Sequence, residues 1–455
     1  MYMYICTRAG LVTPPHTHTQ VRGESEPLHD IPSTFFAISA AAAGFKPQNF
    51  VLSSPETYTP VNCGLPAGMQ AHVSPHSVHR LQTLPGIKGL SLTGRYPVAD
   101  VKYDIPGFPV QVALEAYSPL IPLDNKSSSL PCAVFTFSLK NTDPAKAATV
   151  RVMEAQSNFV GWDGQTDCSA AGAGGKTFGF WGGNVNTPMR PAGASAGGLA
   201  MARPATSAAI DPAFNGTIAV DTVSTPGVTT GVLPQATTEA DLFAQFVGGK
   251  EVPPVSAPTT APSAAGTTWF GGVVQSVTVP AGGSASVTFV LGWHFPNRML
   301  HNSVGKSWDN QLPARLGNRY NTWFKDATAV SGYMIQNFAP LRDATRLYRD
   351  TMFGSTVPAP LLDSAAGRVA HMRCPTMWWT EDGIVMGTEG NGCCPLNCSH
   401  VYGYTTLMER LFPDLAKVRS WALSWLVLAL GLRSPPTHTH RHSNLFSLNP
   451  NPPVL

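Results

Sequence analysis

The stretch CAVFTFSLKN, residues 132–141, decides how the chain folds. Ala133, Phe135, Phe137 and Leu139 recur at every second position, which gathers them on one side of an extended, pleated strand. Working outward, FPVQVALEAYS (108–118) sets Val110, Val112 and Leu114 against Gln111, Ala113 and Glu115, and TVRVMEAQ (149–156) sets Val150 and Val152 against Arg151 and Met153. STFFAISAAAA (33–43), QNFVLSS (48–54) and SLTGRYPVADVKYDIPG (91–107) lie upstream. Downstream come TWFGGVVQSVTVPAG (268–282) and SASVTFVLGWHFPN (284–297), where Val287, Phe289, Leu291 and Trp293 share a face. Turn formers such as IPG, NTDP and AGG separate the runs at short spacing. Short strands alternating core and solvent, closed by turns, predict an antiparallel β-sandwich over residues 31–300.

Within that span, residues 162–235 are so rich in Gly and Ala that no register is fixed, and long loops between strands are expected. VPPVSAPTTAPSAAG (252–266) has the composition of a disordered or extended insertion. After Asn297 the apolar period becomes helical. Leu316, Tyr320, Trp323, Phe324, Ala327, Val330, Met334 and Phe338 step by three and four residues, which predicts one striped helix closed by Pro340. Leu341, Ala344, Leu347 and Tyr348 predict a second, shorter helix, and Val401, Tyr404, Met408, Leu411 and Leu415 another, interrupted at Pro413. Residues 301–419 are therefore expected to be mainly helical, and the family resemblance given below implies linking helices and the start of a second domain there.

At 455 residues the chain is long enough for two or three domains of roughly 100–200 residues. Hydrophobic residues at 43% and charged residues at 13% suit a packed core, while 42 Gly and 41 Pro exclude an all-helical protein. A net charge of +3 is too small to point to nucleic acid as the partner and leaves small neutral ligands open. The cysteines at 6, 63, 132, 168, 374, 393, 394 and 398 form no regular disulfide framework. No signal-peptide pattern opens the sequence, and the apolar run Trp421–Leu432 is 12 residues against the roughly 20 that span a bilayer. A cytoplasmic or peripheral-membrane setting is the expectation, with membrane contact left open. Both ends carry His/Thr alternation, PPHTHTQ at 14–20 and PPTHTHRH at 435–442. Either these are His-rich metal-binding tracts or they translate a dinucleotide repeat, in which case residues 1–30 and 420–455 are expected to be disordered.

Chemistry concentrates in EDGIVMGTEGNGCCPLNCSHVYGY, residues 381–404. Glu389 lies between Gly387 and Gly390, whose freedom allows the backbone to bend sharply and a ligand to come close. A lone Glu is ordinarily a solvated surface residue. Here Trp378, Trp379, Tyr402 and Tyr404 flank it, and aromatic faces beside a carboxylate suit a sugar ring, although aromatics near a helix start are also ordinary core. Glu381 and Asp382 read as a turn, since adjacent residues at a hairpin tip seldom converge on one substrate atom. Cys393, Cys394, Cys398 and His400 are poorly spaced for zinc even with Cys374 nearby, and buried thiols are the default reading. No metal or other cofactor motif is recognised.

TEGNGCCPLNCSHVYGY (388–404), followed by RLFPDL, resembles the start of the catalytic domain of glycoside hydrolase family 116, the non-lysosomal glucosylceramidases or bile acid β-glucosidases. The resemblance extends to RYPVADVKYDIPGFPVQVALEAYSPLIPLDNKSSSLPCAVFTFSLKNT and to TWFKDATAVSGYMIQNFAPLRDATRLYRDTMFGSTVPAPLLDS, covering roughly residues 90–160 and 270–418. It implies an N-terminal β-sandwich followed by an (α/α)6 six-hairpin toroid, and retaining hydrolysis of glucosylceramide or another β-glucoside. Glu389 falls at the family's nucleophile. His400 stands where some relatives carry a sugar-binding Asp, and Trp378 and Tyr404 are the expected stacking residues. The family's acid/base is an Asp in a later motif, and nothing like that motif is found before Leu455. Similarity stops near Arg419, so the chain is expected to be a fragment, inactive alone, ending in a non-family tail at 420–455. The alternative is a non-catalytic sandwich that binds carbohydrate or a protein partner.

Overall fold

The computed structural model describes residues 34–53, 83–161, 182–190, 197–205, 207, 212–300, 314–373, 377–387 and 410–417. Along the described chain the first strands are β1 (Phe35–Ala42), β2 (Gln48–Val51), β3 (Gly89–Arg95), β4 (Val98–Asp104) and β5 (Val110–Tyr117). A single turn, α1 (Asn125–Ser128), precedes β6 (Cys132–Asn141), β7 (Ala148–Ser157), β8 (Val185–Met189), β9 (Gly198–Ala202), β10 (Thr217–Thr222) and β11 (Val228–Ala236). Helix α2 (Glu239–Val247) then leads to β12 (Phe270–Val279) and β13 (Ser284–His294). These strands form two antiparallel sheets, one of five strands ordered β11-β12-β7-β1-β2 and one of eight ordered β3-β4-β5-β6-β13-β10-β9-β8.

The alternation of 132–141 places β6 at the centre of the larger sheet. Phe135 stands opposite Ala116 of β5 on one side and Phe289 of β13 on the other. Ala133, Phe135, Phe137 and Leu139 are all fully buried between the sheets, as are Leu291 of β13 and Val150 and Val152 of β7. Phe36 of β1 meets the edges of Phe135 and Phe137 at centroid distances of 5.1 and 5.0 Å. Each fully buried Phe contributes about 1.5–3 kcal/mol by leaving water, and each edge-to-face pair adds about 0.5–1.5 kcal/mol. This aromatic knot joins the two sheets.

Two expectations change, and a third, for residues 252–266, resolves to the extended of its two alternatives. Alternation predicts a solvent face for Arg151 and Met153, yet α2 covers it: Met153, Leu242 and Phe246 pack together, fully buried. Arg151 is drawn in by the Phe246 carbonyl at 2.7 Å and an ion pair with Glu251 at 2.6 Å. The Gly/Ala-rich span 162–235 carries β8, β9, β10 and β11 rather than loops alone. Its small residues permit close approach: a Cβ on Gly198 would stand 2.0 Å from the Val220 carbonyl oxygen of the neighbouring strand. Residues 252–266 form an extended strap held across the sandwich, with Thr260 N–H donating to the Asn186 carbonyl and Ser263 N–H to that of Asn184 at 3.0 and 2.9 Å. Their hydroxyls accept from Asn186 N–H and Asn184 N–H in return, both at 3.0 Å.

Past the sandwich, β14 (Met299–Leu300) pairs with β15 (Ala314–Arg315), and a 3-10 turn follows at Arg319–Thr322. Helix α3 (Ala327–Gln336) starts eleven residues after Leu316, because Asp326 caps it, its carboxylate accepting from Ala329 N–H at 2.8 Å. Helix α4 (Phe338–Phe353) is the longer of the two, and Pro340 sits in its first turn, where no backbone donor is needed, instead of closing α3. Leu347 lies outside the buried stripe at 67% exposure. Helix α5 (Ala359–Ala370) packs Ala366 and Val369 on Tyr96, Leu120 and Phe412. Glu115 of β5 binds α4 to the sheet, accepting from Arg346 at 2.6 and 3.0 Å and from Arg349 at 3.3 Å. Residues 413–417 are helical after a break at Phe412, in line with the interruption expected at Pro413. Among the described residues no helix is long and apolar enough to cross a membrane.

Candidate functional site

Strands β16 (Met377–Trp379) and β17 (Val385–Gly387) form a hairpin whose second strand runs to within two residues of Glu389. Its tip is the Glu-Asp-Gly turn read from sequence. Gly383 has φ +98, a left-handed value open to glycine, and its N–H donates to the Thr380 carbonyl at 3.0 Å. Thr380 also hydrogen-bonds Asp382 and accepts from Ile384 N–H at 3.0 Å through the same hydroxyl oxygen.

The hairpin is clasped by the segment that joins the sandwich to α3. Glu381 forms an ion pair with Arg315 at 2.8 Å and accepts from Asn321 Nδ2 at 3.0 Å. The backbone is held as well: Glu381 N–H donates to the Leu316 carbonyl at 3.3 Å, and Arg319 Nη1 donates to the Glu381 carbonyl at 3.0 Å. The Arg319 guanidinium lies 5.6 Å from the Trp379 ring, and that ring meets Trp323 edge-on at 5.4 Å. Asn321, then Arg315, hold the Glu381 carboxyl below the ordinary carboxylate range.

On its other side the same segment is bolted to the end of the sandwich. Asn318 and Tyr320 both donate to the Phe295 carbonyl at 2.8 Å, Asn321 donates to that of Pro296 at 2.9 Å, and Arg315 Nε donates to Asn297 at 2.8 Å. Burial pushes the Tyr320 hydroxyl up to about 12, so it stays a donor at any ordinary pH. His294, tilted against the Tyr320 ring at a centroid distance of 5.2 Å, is pushed below its usual range by burial. Three segments separate in sequence, residues 294–297, 315–323 and 377–387, thus meet in one joint.

Of the residues singled out from sequence, Glu389, His400 and Tyr404 lie outside the described residues, as do Cys374, Cys393, Cys394 and Cys398. Trp378 has its backbone in β16 opposite Met386, and its side chain is likewise outside the description. Trp379 belongs to the joint between hairpin and linker. Arg315, Gly317, Arg319 and Asn321, which hold the hairpin, escape a reading that assigns the whole stripe from Leu316 to one helix. The signal that could have found them is RLGNRYN (315–321), whose Gly and Asn residues suit a turn better than a helix. Among the described residues no three His, Cys, Asp or Glu side chains converge as a metal site.

Compared with known proteins, the sequence matches over residues 18–341 the family described as beta-glucosidase 2, glycosyl-hydrolase family 116 N-term. Among solved structures, a chain assigned as a kojibiose phosphorylase from human microbiome matches at 8% identity and a TM-score of 0.23. That match covers 64% of this chain and 26% of the phosphorylase chain, so this chain spans about a quarter of its length. A likeness that slight carries no argument. The family match runs through both sheets and into the first turn of α4, well over half of the sequence, and on it the protein belongs to glycoside hydrolase family 116, whose N-terminal β-sandwich domain it contains.

Proposed function

We propose that this chain contributes the sandwich and the nucleophile-bearing segment of a retaining β-glucosidase acting on glucosylceramide or another β-glucoside. One observation carries the reading: the family match ends on helices that continue into a clasped hairpin, and that hairpin leads directly to the Thr388–Glu389–Gly390 motif. In this assignment the Glu389 carboxylate attacks the anomeric carbon, the bond to the leaving oxygen breaks, and a glycosyl ester forms. A second carboxylate about 5–5.5 Å away protonates the leaving oxygen, and later activates the water that releases the sugar. That acid/base Asp, and the (α/α)6 toroid that would carry it, are assigned to the full-length form of the enzyme. His400, Trp378 and Tyr404 are assigned to the sugar, the His as a hydrogen-bonding group and the aromatic rings as stacking faces.

The test uses the chain itself with a 2-deoxy-2-fluoro-β-glucoside bearing a dinitrophenolate leaving group, which departs without a proton and so probes the nucleophile alone. Mass spectrometry of the digested protein is expected to find the sugar ester on Glu389, and none on Glu389→Gln. A label on another residue, or none on a chain whose sandwich unfolds cooperatively, overturns the assignment. Saturable sugar binding without label would instead favour a non-catalytic, carbohydrate-binding sandwich.

A further inference from the structure

Helix α3 lies across the outer face of the eight-stranded sheet, over β10 and β13. At its start Ala327 N–H donates to Thr217 Oγ1 of β10 at 2.8 Å. Gly292 of β13 permits the close approach, since a Cβ there would stand 3.0 Å from the Ala327 carbonyl oxygen. One turn on, Asp221 of β10 meets Ser331 of α3, and both side chains are fully buried. Asp221 Oδ1 accepts from Thr222 N–H at 2.8 Å, and Oδ2 lies 3.3 Å from Ser331 Oγ. The same hydroxyl stands 3.2 Å from the Thr328 carbonyl of its own helix.

A hydroxyl has one hydrogen to give. With Asp221 protonated, its own O–H can make the link to Ser331 while Ser331 donates to Thr328. With Asp221 ionised, Ser331 must turn to the carboxylate and release Thr328, and a charge is left in a dry interface with two donors. Such a charge is costly to bury. We propose that Asp221 and Ser331 form a proton-operated latch, which holds α3 on the sheet when Asp221 carries its proton and slackens when the proton leaves. The latch stands on this contact alone and does not depend on what Glu389 does.

Among the described residues the neighbouring elements offer no compensating charge. From β9, Gly198–Ala202 contributes no ionisable residue. From α3, Tyr333 is ionisable, but it lies against Phe324 and 4.7 Å from Lys126 Nζ. From β13, Val290 stands opposite Asp221, and His294 lies four residues on, opposite Thr217, near the Asp326 cap of α3. Burial accordingly pushes the Asp221 carboxyl up from its ordinary 3.8 to about 7, against the hydrogen bonds from Thr222 and Ser331. The folded value is the raised one, so the latch contributes its full stability below the ordinary value and loses it as pH rises to about 7. His294, shifted down, acts in the opposite sense, weakening the fold as pH falls below its ordinary 6.5. A measurement referenced to a variant at Asp221 cancels it.

The experiment is thermal unfolding of the full chain and of Asp221→Asn, which cannot ionise, from about pH 4 to about pH 8. The wild-type Tm minus the variant Tm is expected to fall by roughly 10 °C across that range and then level off. Amide exchange at Val330, corrected for its intrinsic pH dependence, is expected to accelerate with pH in the wild type and not in the variant. Ser331→Ala removes a donor that favours the ionised form, and is expected to move the levelling point above about 7. A Tm difference flat to within about 2 °C overturns the latch. Should Asp221→Asn fail to fold, an unmoved profile in Ser331→Ala overturns it equally.

Discussion

Replacing Gly317 by Ala tests the joint between hairpin and sandwich most directly. Gly317 has φ +65, and a Cβ built on it would stand 2.2 Å from Glu381 Oε2 and 2.8 Å from Glu381 Cβ. The left-handed backbone alone costs a non-glycine residue about 1–2 kcal/mol. The clash then expels the Glu381 side chain. Its ion pair with Arg315 joins side chains that are 38% and 46% exposed, so screening limits that loss to about 0.5–1 kcal/mol. The hydrogen bond from Asn321 contributes about another 0.5–1 kcal/mol. Together they amount to about 2–4 kcal/mol of local opening, which is roughly 30-fold to several hundred-fold in amide exchange. The probe is the Glu381 amide, which donates to Leu316 across the joint. Placing the same Ala in a Glu381→Gly background should leave only the conformational cost, about 1–2 kcal/mol. If Gly317→Ala exchanges Glu381 N–H within about threefold of the wild type, the clasp does not hold the hairpin and the argument fails.

Two further predictions concern the sandwich. Gly198→Ala drives a methyl into backbone on the neighbouring strand, Val220 O at 2.0 Å and Asp221 Cα at 2.9 Å, and is expected to lower the urea-derived stability by about 2–3 kcal/mol. Gly89→Ala, with nothing within 4 Å of its new methyl, should stay within about 0.5 kcal/mol and serves as the control. Phe135→Ala empties the centre of the aromatic knot and is expected to cost about 3–5 kcal/mol at unchanged m-value. A loss under about 1 kcal/mol would mean that the knot does not join the sheets.

How legible each region was in the sequence follows from what its residues do. β6 shows plainly, because Ala133, Phe135, Phe137 and Leu139 meet one dry environment and alternate accordingly. β9 does not: GLAMA owes its Gly to the closeness of Val220 on the adjacent strand, and a demand set by another strand leaves no period in its own sequence. Leu316, Tyr320, Trp323 and Phe324 fit a helical stripe by spacing, but Gly317 at φ +65 cannot be helical. Those apolar residues serve a turn, a clasp and a hydrophobic cluster instead. The better signal was Asp326, a side-chain cap directly before Ala327.

Around the candidate site the limits of sequence are sharper. Glu381 and Asp382 were legible as a turn because turn chemistry is local, whereas the partners that give Glu381 its task lie 60 or more residues away in Arg315 and Asn321. The proposed nucleophile was legible only through resemblance, since one Glu among glycines carries no period and no capping rule. What the fold adds is the mechanical context of that motif. β17 ends at Gly387, and the hairpin it belongs to is fixed by residues bolted to Phe295, Pro296 and Asn297 at the end of β13. On the proposed assignment, the sandwich is therefore part of how the site is built: a loosened joint at Gly317 should slow labelling of Glu389 while leaving Glu389 itself intact, an effect that a sandwich serving only as a binding module would not produce.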